Sequence, residues 1–130
     1  MKRLTLLTVL FLTVFSTPVF AKWTEVDENV DGDTFYVDFE RIRKHGGYVY
    51  WWNLVDLLKP NKWGDLSSKI YYQGDCKLFR FKILSDSYHN EPMGRGTPLK
   101  SSNKRDKEWR YPSPNSSGEE ILKSVCAYAK

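Results

Sequence analysis

The sequence predicts an α+β fold: an antiparallel sheet of about six strands, with one C-terminal α-helix packed on a face and tied there by a disulfide. Three observations carry this expectation. Residues 48–58 form the densest block of aromatic and β-branched residues in the chain, side chains that suit a pleated surface better than a helix. Ile121, Leu122, Val125, Cys126 and Ala129 recur at helical spacing behind a capping signal. Cys76 and Cys126 are the only two cysteines.

The N-terminus sets the compartment. Lys2 and Arg3 precede a short apolar run, Pro18 breaks it, and Val19, Phe20 and Ala21 form a small-x-small cleavage site. This is the anatomy of a signal peptide over residues 1–21, with a single domain over 22–130. A transmembrane anchor would need roughly 20 apolar residues, and here a proline and several hydroxyls intervene. Cleavage of 21 from 130 residues leaves 109, one domain of common size. Loss of Lys2 and Arg3 lowers the net charge from +4 to +2, a balance that calls for neither nucleic acid nor a membrane surface. An exported pair of cysteines becomes a structural bridge. A metal or redox site would need more ligands or a Cys-x-x-Cys spacing.

The elements follow in order. Residues 23–30 and 34–38 read as two strands around an Asp31-Gly32-Asp33 turn. Asp38 is expected to cap a short helical turn reaching Arg43, ended by Gly46 and Gly47. The strand at 48–58 is apolar on both faces, so both need cover. Lys59 and Pro60 stop it. Residues 67–72 and 76–84 are the next strands. In the second, Cys76 alternates with Leu78 while Phe79 and Phe81 point the other way. Either a bulge near Leu78 turns the phenylalanines inward, or the second face of the sheet is aromatic. Residues 86–110 read as a long polar loop with one strand near 97–101. Trp109 and Tyr111 return to the core. Ser117 as N-cap with Glu120 at N3 opens the helix.

Few residues offer chemistry. His45 reads as a solvated turn residue. Tyr88, His89, Met93 and Arg95 bring phenol, imidazole, thioether and guanidinium together on the 88–96 loop. With Phe79 and Phe81 they form the candidate ligand- or partner-binding set. No catalytic residue and no metal site is assigned. Asp31-Gly32-Asp33-Thr34 looks like the entry to a nuclease-type site, but the arginine and acidic residues that would complete one are missing, and the string is also an ordinary turn. The basic run at 100–110 is diluted by Asp106 and Glu108 and reads as a solvated loop.

Several of these features recur together in one family. They are the exported N-terminus, Trp23, the block from Asp31 to Asp38, Trp52-x-Leu54-x-Asp56, Asp75 followed by Cys76, and Trp109, Tyr111 and Pro114 before the Cys126 helix. The chain resembles the surface-adhesin protein E-like family of Gram-negative bacteria over essentially its whole length after residue 21. The resemblance implies a six-stranded antiparallel sheet, a C-terminal helix and a strand-to-helix disulfide. It also implies binding of host matrix proteins and plasminogen, and of haem by a dimer. No lipid-modified cysteine lies near the cleavage site, so the expectation is a periplasmic or secreted protein, not a lipid-anchored one.

The function expected is therefore non-catalytic binding of a protein or small apolar ligand through an aromatic sheet face and the 88–96 loop. A homodimer through that face is the expected assembly. The alternatives are a small exported hydrolase or nuclease using Asp31-Gly32-Asp33-Thr34, and a structural envelope protein.

Overall fold

The computed structural model describes residues 21–130. The signal peptide expected over residues 1–21 lies, but for Ala21, outside the described residues. The elements are β1 (Thr24–Glu28), β2 (Thr34–Val37), β3 (Arg43–His45), β4 (Tyr48–Asp56), β5 (Ser67–Asp75), β6 (Arg80–His89), β7 (Lys100–Ser102) and α1 (Ser117–Tyr128). All strand pairs are antiparallel, in the order β1-β2-β4-β5-β6-β7, with the short β3 added to β4. The expected architecture holds, with β3 as the additional strand.

The aromatic block explains why β4 is central. Its register sets Trp51 opposite Tyr72 and Trp52 opposite Tyr71, so the two tryptophans lie on opposite faces. On the helix side, Val37, Val49 and Trp51 meet Ile121, Leu122 and Val125 in one buried cluster. Trp51 stacks on Tyr72 at 5.1 Å and 12°. Gly74 is required there, because a Cβ at that position would lie 2.7 Å from Trp51 Cζ3. The indole therefore occupies the space a side chain on β5 would fill.

Several boundaries differ from expectation, each for a local reason. Gly46 and Gly47 do not end a helix. Both have positive φ and form the turn of a β3–β4 hairpin, and the helical turn before it is confined to Phe39–Arg41. Asp38 makes no side-chain cap there; its carboxylate pairs with Arg41 at 3.4 Å instead. The strand expected at 76–84 begins later. Asp75 Oδ1 accepts from the N–H groups of Lys77 and Leu78, winding residues 76–79 into a turn that ends at Phe79, φ 51°. The turn and a register shift opposite Tyr71 and Tyr72 decide the question left by the alternation. Phe79 and Phe81 pack on the helix-side cluster. The outer face is aromatic too, through other residues.

The loop expected at 86–110 is partly strand, since β6 runs to His89 and β7 pairs with it. The chain beyond β7 also follows β6, with Phe81 and Arg110 exchanging two 2.8 Å backbone bonds. Tyr111 stays in solvent at 65% exposure and does not join the core. The helix begins one residue early, with Ser116 as N-cap accepting from the Glu119 N–H. The disulfide Cys76–Cys126 closes with Cα atoms 5.8 Å apart, joining α1 to the β5–β6 turn.

The Asp75 turn also makes stability depend on pH. Burial alone would raise the Asp75 carboxyl, but the Leu78 N–H, the Arg80 guanidinium at 2.9 Å and the Lys77 N–H together hold it below its ordinary value. A carboxyl depressed in the folded state stabilises it fully above the unfolded pKa, and that contribution is lost as pH falls through the folded one. Asp75→Asn is therefore expected to flatten the acid limb of stability below about pH 4, as read from denaturant melts across that range. An acid limb as steep as wild type would show that this carboxylate carries none of it.

Candidate binding face

The face of the sheet opposite α1 is the site with unassigned capacity. Register puts Tyr36, Tyr50, Trp52 and Tyr71 on it together. Tyr71 links the row, 4.9 Å from Trp52 and 6.3 Å from Tyr50 by ring centroids. At one end Trp109 packs on Tyr48 at 5.3 Å, with Arg80 and Lys82 over its ring at 4.4 and 4.8 Å. All of these rings are half-buried. Among the described residues no helix covers them, and half-buried rings in a continuous row have the composition of an interface core.

At the other end the chain after β6 folds back over the face. Met93 N–H donates to Asp56 Oδ1 at 2.8 Å, and Gly94 N–H donates to Ser67 Oγ at 2.8 Å. The Ser67 hydroxyl in turn donates to the Glu91 carbonyl at 2.6 Å. This short turn, Pro92–Gly94, seals Leu54, which is fully buried. Beside it Trp23, Arg41, Trp52, Lys69, Ser87 and Met93 line a cleft of about 270 Å³. Met93 sits in the left-handed region, φ 59° and ψ 31°, uncommon for a residue other than glycine. Such strain persists where surroundings over-determine it, and it clusters at ligand clamps.

The residues expected to form the site are not brought together. Met93 lines the cleft, while Arg95 stands exposed. Tyr88 lies on the opposite face, because its register partner is Ser68 and not Ser67. Phe79 and Phe81 are in the helix-side cluster. His89 is 1% exposed, with Nδ1 3.3 Å from the Gly96 carbonyl and Nε2 2.9 Å from Ser87 Oγ. A carbonyl only accepts, so Nδ1 carries the proton and the Nε2 lone pair takes the serine hydroxyl. His89 thus has no free nitrogen for an iron, and the residues present do not fit a haem ligated through it. The residues missed in sequence are Trp23, Tyr50, Trp52 and Tyr71. The two-faced aromatic pattern of β4 signals Trp52, but the cleft needs the fold-back of residues 92–94.

The Asp31-Gly32-Asp33 string is spent on structure. Asp33 Oδ1 accepts from the Leu58 N–H at 3.0 Å and Oδ2 from the Asn29 amide at 3.2 Å. Asn29 Oδ1 accepts from the N–H groups of Asp31 and Asp33. The same bonds recur at residues 61–65, where Asn61 and Asp65 hold an identical Asn-x-x-Gly-Asp turn. Among the described residues no three His, Cys, Asp or Glu side chains cluster as metal ligands, and no helix is long and apolar enough to cross a membrane.

Comparison with known proteins agrees with this architecture. Curated proteins give no match. Among solved structures, crystal form II of Haemophilus influenzae protein E is similar at a TM-score of 0.64 and 20% identity, covering 88% of this chain and 94% of that one. Protein E from non-typeable H. influenzae is similar at 0.59 and 19%, covering 85% and 79%. Identities this low speak for the fold alone. The family model for surface-adhesin protein E matches residues 23–127, a span that holds the aromatic face, both Asn-x-x-Gly-Asp turns and the disulfide, and the chain belongs to the surface-adhesin protein E family.

Proposed function

We propose that this chain is an exported, non-catalytic binding module that engages a protein partner through the outer aromatic face. The observation that carries the reading is the row of Tyr50, Tyr71 and Trp52 leading into the Met93 cleft, with no helix over it among the described residues. Tryptophan and tyrosine bury large area at low entropic cost and dominate interface hot spots. Lys69, at the cleft, has no ion pair among the described residues. A partner that inserts an apolar side chain flanked by a carboxylate therefore suits it. Membership of the surface-adhesin protein E family supports an adhesin-like role.

The test is binding of the oxidised domain to immobilised extracellular-matrix proteins and plasminogen. Trp52→Ala combined with Tyr71→Ala is expected to weaken any such binding by roughly thirtyfold, with the disulfide kept and unfolding still cooperative though at a somewhat lower temperature. Undiminished binding by that variant would remove the face from the interaction. Light scattering at high concentration separates this reading from its rival, a second copy of the chain on the same face.

A further inference from the structure

A second cleft lies on the other side of the sheet, at the end remote from the disulfide. Asn61, Trp63, Asp65, Asp86, Tyr88 and Lys100 line about 360 Å³ there, within the roughly 300–1,000 Å³ of small-molecule sites. Trp63 is 66% exposed, and nothing in the fold asks for it. The equivalent position of the first Asn-x-x-Gly-Asp turn holds Asp31, and that turn closes with the same bonds. The turn nonetheless holds the indole in place, because Asn61 Oδ1 takes the Trp63 N–H at 3.0 Å. Lys62 Nζ sits 4.4 Å from the ring centroid but does not line the cleft. The exposed indole and the Tyr88 ring line the same cleft.

Asn61 and Asp65 are engaged in the turn, but the rest of the charged lining is not paired: the Asp86 carboxylate and Lys100 ammonium make no ion pair among the described residues. Burial, then the nearby Asp86 and Asp65 carboxylates, push the Tyr88 hydroxyl up, so it stays neutral and able to donate. An exposed aromatic ring beside an acceptor, a cationic donor and a hydroxyl matches one chemistry well. A pyranose presents slightly positive C–H groups on one side, complementary to the negative face of an indole, and hydroxyls that both donate and accept around its rim. A cationic ligand would also seek the ring and the carboxylates, but Lys62 and Lys100 oppose it.

We propose that this cleft binds a pyranose ring of a glycan, independently of the aromatic face. The test is a two-dimensional amide NMR titration of the oxidised protein with methyl β-D-galactopyranoside, methyl α-D-mannopyranoside and N-acetylglucosamine. Tetramethylammonium serves as the counter-probe. At least one saccharide is expected to shift the Trp63 indole N–H and the amides of residues 61–65 and 100–102 saturably. Trp63→Ala is expected to weaken that binding about tenfold and Asp86→Asn to weaken it as well, whereas Trp52→Ala leaves it unchanged. Because the Trp63 ring is exposed, its loss should not alter thermal unfolding, so lost binding is not lost fold. No saturable shift at Trp63 with any of the three sugars, equal binding by Trp63→Ala, or binding of tetramethylammonium alone overturns the proposal.

Discussion

The oxidised domain is expected to be about 4 kcal/mol more stable than a Cys76→Ser, Cys126→Ser variant, as the chain-entropy cost of an open loop of this length implies. The bridge spans 50 residues, and that interval contains β6, β7 and the segment that follows β6 back to the helix. Without it, α1 is held to β1, β2 and β4 only by packing, chiefly that of Ile121, Leu122 and Val125. For a domain of this size the loss corresponds to a fall of roughly 15–25 °C in Tm. Calorimetry of the two forms, with reductant added to wild type as a control, measures it. A Tm that ignores both the substitutions and the reductant would show that helix docking owes the bridge nothing.

The adjacent tryptophans should separate just as sharply. Trp51→Ala removes a 2% exposed ring stacked on Tyr72, and large-to-small changes of this kind cost about 3–5 kcal/mol. The lower end is expected, because the buried Trp51 Nε1–H has no hydrogen-bond partner among the described residues and deleting it relieves a desolvation cost. Trp52→Ala removes a half-buried ring on the outer face and is expected to cost no more than about 1.5 kcal/mol, mostly through its stacking with Tyr71. Its main effect should fall on partner binding. Urea unfolding of both single variants decides the matter: equal losses would mean that the outer face is structural and not a binding surface.

Much of this was legible because it is local. Alternation along residues 48–56 places Trp51 and Trp52 on opposite faces whatever the partner strands do. The apolar stripe at Ile121, Leu122 and Val125 shows which side of α1 is buried. The helix start was displaced by one residue, since Ser116 and Ser117 are equally good caps and only the backbone, with Asn115 left-handed at φ 61°, selects between them. The strand expected at 76–84 failed for a similar reason. Its alternation was real, but the Asp75 carboxylate captured two N–H groups and turned the chain first.

The candidate binding residues are dispersed for a different reason. Tyr88 and His89 are neighbours in sequence, and in a strand neighbours point to opposite faces. Residues 86–89 belong to β6 and not to a loop, so Tyr88 and His89 fall on opposite faces of the sheet. Trp23 and Met93 meet at the cleft only because the Pro92–Gly94 turn is hydrogen-bonded to Asp56 and Ser67, far away in sequence.

What the sequence by itself determined was the class of fold, the covalent bridge, the central strand and the buried stripe of the helix. Each follows from periodicity, propensity or the count of one residue type, all properties of a short window. Only the tertiary structure decided which aromatic rings face a common cleft, that His89 is buried with both nitrogens engaged, and that the exposed Trp63 lines a cleft with Tyr88. Those facts depend on strand register and on where a turn lands across the sheet. Register is set by the summed packing and hydrogen bonding of strands distant in the chain, and no single stretch of residues contains it.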